Sequence, residues 1–114
     1  MRRENLYLND ILDASDDIAR FISDVEAEGF RESDLLRSAV VHKLSVIGEA
    51  AARLSDELKS RNPQVPWGQI VGFRNILIRA YFGIDWDVVW QAAQDKCPVF
   101  RNQVAQILAA EFSA

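Results

Sequence analysis

An arginine stays protonated at any pH a protein meets, and its planar fork of donors fits a carboxylate or a phosphate. One inside an apolar stripe therefore calls for an anionic partner. The 114-residue sequence has such a position. In the segment from Trp67 to Tyr81, the residues Trp67, Val71, Arg74, Ile78 and Tyr81 advance by four, three, four and three. Helical residues seven apart differ by only about 20° around the axis, so Arg74 shares a stripe with Tyr81. Two readings stand open. In the structural one Arg74 pairs with a carboxylate such as Glu49 of the preceding helix, or snorkels to the bundle edge. In the functional one it is a guanidinium clamp for a phosphate. Arg79, five residues on, lies about 140° away, so the two arginines border one groove only if a second copy of the chain supplies the facing wall.

The other chemistry-bearing residues are few. His42 is the single histidine, among Val40, Val41 and Leu44, and reads as a structural or surface residue unless it faces a groove shared with the arginines. Cys97, the single cysteine, reads as a small packing residue before Pro98 and can form no disulfide within the chain. One histidine, one cysteine and scattered carboxylates give no ligand spacing of the kind zinc sites show, so no metal and no cofactor are expected.

The elements that must position Arg74 are helical. Leu8, Leu12, Ile18, Ile22 and Val25 recur at helical spacing, with Ile11 and Phe21 at the stripe's edges, and predict one long amphipathic helix ending near Gly29. From a start at Ser33, apolar positions from Leu36 to Leu58 predict a second helix to about Lys59, in which Gly48 marks either close packing or simple tolerance. Asn62-Pro63-Gln64-Val65-Pro66 is a firm break. A third helix is expected over 67–82, a fourth capped by Asp85 and closed by Pro98, and a last one from Pro98 onward. No β-alternation appears. The expected fold is all-α, an up-down four-helix bundle with an additional short helix, forming a single domain over 1–114.

Composition bounds the function. The chain carries 13 basic and 17 acidic groups, a net charge of −4, which argues against a general nucleic-acid coat working by counterion release. Residues 1–34 hold four basic and ten acidic groups, and the rest nine and seven, so anion binding belongs to the second part. No apolar run is long enough for a membrane span and no signal-like leader opens the chain, so a cytoplasmic location without membrane contact is expected.

The run Trp67-Gly-Gln-Ile-Val-Gly-Phe-Arg-Asn75, continued by Ile-Leu-Ile-Arg79-Ala-Tyr81-Phe-Gly-Ile-Asp85 and Val89-Trp90, resembles the signature of HepT-like proteins of the HEPN superfamily. Ile47-Gly48-Glu49-Ala50 and Tyr7-Leu8-Asn9-Asp10-Ile11-Leu12 match the same layout. The resemblance implies a homodimeric, HEPN-like helical toxin of a toxin–antitoxin pair, acting on RNA as a metal-independent endoribonuclease. It also implies an MntA-type minimal nucleotidyltransferase antitoxin that transfers AMP to a tyrosine. Arg74 matches the motif arginine, Asn75 the polar residue after it, and Tyr81 the modified tyrosine, with Glu49 as structural support. Arg79 stands where the motif has its histidine.

That substitution bears on the chemistry. Attack by a 2′-hydroxyl needs one proton removed and another delivered, which an imidazole can do near neutral pH and an arginine cannot. Arg79 can still bind phosphate and stabilise developing charge. The resemblance therefore leaves three readings: a HepT-like ribonuclease toxin, weakened or using another base; a catalytically inactive HepT-like homodimer that binds its nucleotidyltransferase or RNA; and a helical dimer with an unrelated scaffolding role. Tyr81 divides likewise between AMP acceptor and filler of an aromatic cluster with Phe73, Phe82, Trp86 and Trp90.

Overall fold

The structure, a computed structural model, describes residues 3–79 and 83–113, without the side chains of Ile78 and Arg79. All of its regular structure is helical: α1 Glu4–Phe21, α2 Ala27–Glu32, α3 Asp34–Ala52, α4 Asp56–Arg61, α5 Trp67–Arg79, α6 Trp86–Gln91, a π-helical segment Ala92–Lys96, and α7 Cys97–Glu111. None of these helices is long and apolar enough to cross a membrane, among the described residues.

α1 and α3 form the main seam. They run antiparallel, since Glu4 Oε1 accepts from the Ser55 N–H just past α3 (2.6 Å) while Asp17 meets Lys43 Nζ (2.8 Å) further along. α5 lies on α3, and α7 covers α1. Between them Leu8, Ile11, Ile18, Val40, Leu58 and Val104 are sealed from solvent. The buried face of α1 thus centres on Leu8, Ile11 and Ile18, whereas its spacing alone put Ile11 at the edge and Leu12 at the centre.

Three boundaries differ from those expected, the first two because a tertiary contact or a cap overrides a continuing stripe. The first helix stops at Phe21 instead of running to Gly29, and the chain reverses at Asp24, whose φ of 63° is a left-handed conformation that aspartate tolerates. This reversal lets α2 insert Phe30, fully buried, against Trp90 (5.2 Å between ring centroids) and Trp86 (6.3 Å, edge on). The second helix starts where expected, with Ser33 Oγ accepting from the Leu36 N–H, but breaks at Arg53 instead of reaching Lys59. Ser55 caps α4 through the Leu58 N–H, with Asp56 and Glu57 in its first turn.

The third difference is at Pro98. It stands in the first turn of the last helix, as expected, but does not close the run before it: helical backbone continues from Trp86 to Glu111, widened to π geometry over Ala92–Lys96. Proline has no N–H to donate one turn back and its ring crowds that carbonyl; a wider turn relieves both. The expected count of four helices plus a short one therefore becomes seven α-helical segments and a π segment among the described residues.

The Asn62–Pro66 break is built as a joint. The buried Asn62 donates to the Leu58 carbonyl and to Glu111 Oε2 (both 2.9 Å), and its own carbonyl accepts from Trp67 Nε1 (3.0 Å). Arg61 adds two bonds to Glu111 Oε1, so the last turn of α7 clasps the end of α4 and Trp67 fixes the start of α5.

Candidate functional site

His42, Ser45, Glu49 and Arg53 fall at intervals of three and four along α3 and so share one face. With Tyr7 and Asp10 of α1 and Arg74 of α5 they line an open cavity of about 370 Å³. Arg74 reaches it because of Gly48. A Cβ on Gly48 would stand 2.5 Å from the Arg74 Cβ and 3.1 Å from its Cγ, so the missing side chain lets the arginine stem lie directly on α3. The close-packing reading of Gly48 is the correct one.

The guanidinium is then held on two sides. Arg74 Nη1 donates to Glu49 Oε2 (2.7 Å) and Nη2 to Asn75 Oδ1 (3.2 Å), while Nε is buried with no hydrogen-bond partner among the described residues. The other Glu49 oxygen, Oε1, accepts from Arg53 Nη2 (2.8 Å) and Nε (3.2 Å). One carboxylate thus serves two guanidiniums, one oxygen each. Arg53, then Arg74, holds the Glu49 carboxyl below the usual carboxylate range, against the opposing effect of burial. Arg53 is in turn pushed further above its ordinary value, chiefly by Glu49. About 23% of the Arg74 side chain is open to solvent, enough for an anion to reach it.

Arg74, Asn75 and Glu49 therefore meet, and His42 lines the same cavity. Arg53 was missed, although its i,i+4 spacing from Glu49 is legible in the sequence. The α1 contribution, Tyr7 and Asp10, follows only from packing. Arg79 ends α5, its side chain outside the described residues, and Tyr81 lies outside them altogether. No cluster of three or more histidine, cysteine or carboxylate side chains could hold a metal ion, among the described residues. Cys97 is buried and its thiol is pushed up by burial, the direction of an unreactive thiol.

The opposite flank of α5 differs in kind. Between it and the α6–π–α7 run lies a groove of about 660 Å³ with mostly apolar walls, including Ile70, Phe73, Val88 and Phe100. Ile76, Val88 and Val99, bordering it, are 59%, 46% and 59% exposed.

The chain is thus an all-α protein with a guanidinium clamped at the rim of an open cavity. The family follows from comparison with known proteins. Residues 11–107 match the family described as Ribonuclease HepT-like, and the chain belongs to that family. It is 36% identical over 98 residues to "Putative RNase MJ1380" of Methanocaldococcus jannaschii, covering 86% of this chain and 90% of that one. It is 32% identical over 111 residues to "Putative RNase TTE0752" of Caldanaerobacter subterraneus, covering 97% and 99%. It is 31% identical over 101 residues to "Probable ribonuclease HepT" of Thermococcus cleftensis, covering 89% and 92%. No solved structure matches at a significant level.

Proposed function

We propose that the protein is a homodimeric HepT-like toxin of a toxin–antitoxin pair, and that it cleaves RNA without a metal at a site centred on Arg74. The observation that carries this reading is the Arg74 guanidinium, placed by Gly48 at the rim of an open cavity and held there by Glu49 and Asn75. A phosphodiester reaching Arg74 competes with Glu49 for Nη1. Because Arg53 stays on the other carboxylate oxygen, Glu49 is not left unpaired when Arg74 turns to the phosphate, which lowers the cost of the exchange. The guanidinium then stabilises the charge that grows on the phosphoryl oxygens as the 2′-hydroxyl attacks.

The apolar groove supports the dimer. Ile76, Val88 and Val99 present a surface that a second copy would cover, and Asp95 and Lys96, adjacent on the groove's rim, suit a two-fold contact in which each meets its opposite in the other copy. As in the family, the expected partner is an MntA-type minimal nucleotidyltransferase, with Tyr81 as its AMP acceptor.

Arg79 favours a second reading. An arginine in the place of the motif histidine removes the proton carrier, and general acid–base help contributes about 10²–10⁴ in rate, so the chain would then bind RNA or its nucleotidyltransferase without cutting. RNA cleavage in EDTA by the native protein, Arg74→Ala and Arg79→His decides between them. Cutting by the native protein that Arg74→Ala abolishes is the expected result. Cutting by Arg79→His alone makes the binding role the better account, and no cutting by any of the three overturns the ribonuclease reading.

A further inference from the structure

A guanidinium and a carboxylate left to themselves pair fork to fork, through two parallel N–H···O bonds. Arg74 and Glu49 do not. Arg74 Nη1 donates to Oε2, and the second donor, Nη2, goes to Asn75 instead. The reason lies at the other oxygen. Arg53 places both Nη2 and Nε on Oε1, which occupies the lone pairs that a second bond from Arg74 would need.

Arg53 is itself held in place. It follows Glu49 by one turn at the C-terminal end of α3, and from α1 the Tyr7 hydroxyl accepts a hydrogen bond from it. Tyr7 packs its ring against the core, so its hydroxyl is a fixed point for an arginine that otherwise stands largely in solvent. From the core outward the order is Tyr7, Arg53, Glu49, Arg74, one each from α1 and α5 and two from α3.

Taking Arg53 away would change two things. Oε1 could join Oε2 on Arg74, so that an incoming phosphate would have two bonds to displace where it now has one. A Glu49 that released Arg74 would also be left without a cation. Both changes draw Arg74 toward its own carboxylate and away from a ligand.

We infer that Arg53, fixed by Tyr7, is a positioning residue of the Arg74 site: by occupying Oε1 it limits Glu49 to one bond with Arg74 and keeps that guanidinium exchangeable for an RNA phosphate. This rests on the reading that Arg74 takes the phosphate of RNA, and adds what sets its availability. Arg53 acts through Glu49 rather than on the substrate.

The test is the affinity of the full-length protein for a short fluorescein-labelled 2′-O-methyl oligoribonucleotide of mixed sequence, which lacks the 2′-hydroxyl needed for cutting. It is read at about 0.3 M salt, where the long-range attraction of an exposed charge is largely screened. Arg53→Ala is expected to weaken binding about tenfold, within the range of coupling between contacting groups, and Arg53→Lys to recover most of that loss. Tyr7→Phe removes one oxygen and leaves the ring in the core, and is expected to weaken binding about threefold. In a Glu49→Ala background, Arg53→Ala is expected to change the affinity by less than about twofold, because the carboxylate it acts through is gone. An equal loss in both backgrounds means that Arg53 meets the RNA itself and overturns the positioning role, as does a native-like affinity of Arg53→Ala. Failure of the native protein to bind the oligonucleotide overturns it too. If the expected pattern holds but unmodified RNA is left intact, the positioning role stands and cleavage is overturned. If unmodified RNA is cut in a manner that needs Arg74 but is indifferent to Arg53→Ala, the ribonuclease reading stands and the positioning role is overturned.

Discussion

The two flanks of α5 solve opposite problems. On one, a charged side chain is drawn against the body of the fold by a glycine and satisfied by a carboxylate that is itself satisfied by a second arginine. On the other, apolar side chains stand in solvent around a groove left open by the described residues. Charge is kept where the chain can neutralise it internally, and hydrophobic surface where another chain can cover it. On the proposed reading, the first flank can be altered in its chemistry without unfolding the domain, and the second in its assembly without touching the chemistry.

The largest expected effect belongs to the charged flank. Arg74→Ala lowers RNA cleavage by about 100-fold or more, the cost of removing one transition-state donor, while urea unfolding moves little, because Arg53 remains on Glu49. A large loss of stability alongside the loss of activity would break the separation of the flanks. On the apolar flank, Ile76→Glu and Val99→Glu raise the dimer dissociation constant by about 100-fold or more in sedimentation experiments with the monomer still folded. An unchanged oligomeric state would show that the second copy binds elsewhere.

Glycines sharpen the contrast on a smaller scale. Gly48→Ala drives a Cβ into the Arg74 stem and costs about 1–3 kcal/mol in urea unfolding, despite the better helix propensity of alanine. Gly68→Ala, on the open first turn of α5 with nothing within 4 Å, stabilises by about 0.4–1 kcal/mol. The smallest effect is on the acid side. Glu49 is held down by Arg53 and Arg74, Asp17 by Lys43 and Arg20, and Glu111 by Asn62 and Arg61. A carboxyl whose folded pKa lies below its unfolded one contributes stability above the unfolded value and loses it as pH falls through the folded one. Unfolding midpoints should therefore decline as pH drops below about 4.5, the ordinary glutamate value, and Glu49→Gln should make that decline shallower.

How much of this was legible in the sequence depended on the range of the interaction. Helix starts were, because capping is local: Ser33 and Asp85 bond N–H groups two or three residues ahead of them. The need of Arg74 for an anion was legible from its type and stripe, and Glu49 as its partner from the facing helix. What spacing could not show was where a stripe stops. The apolar rhythm carries on past Phe21 and past Arg53, and the chain breaks there because Phe30 finds Trp90 and Ser55 finds Leu58 and Glu4. Pro98 misled for the complementary reason, since a local breaker was absorbed by five residues of π geometry. The cavity was the least legible feature, because its walls come from three helices that only packing brings together.

The seam between α1 and α7 has a kinetic consequence. The first long helix and the last are packing neighbours, tied by Asp16 to Arg101, and the clasp of Glu111 on Asn62 joins residues 49 apart. Closing such long loops costs entropy before any contact repays it, so this arrangement folds more slowly than a bundle of sequential neighbours. On the ribosome, the face of α1 that α7 covers stays open and Asn62 has no carboxylate until α7 has emerged. The arginine site, whose residues all lie on α1, α3 and α5, is therefore seated on a frame that α7 finishes last.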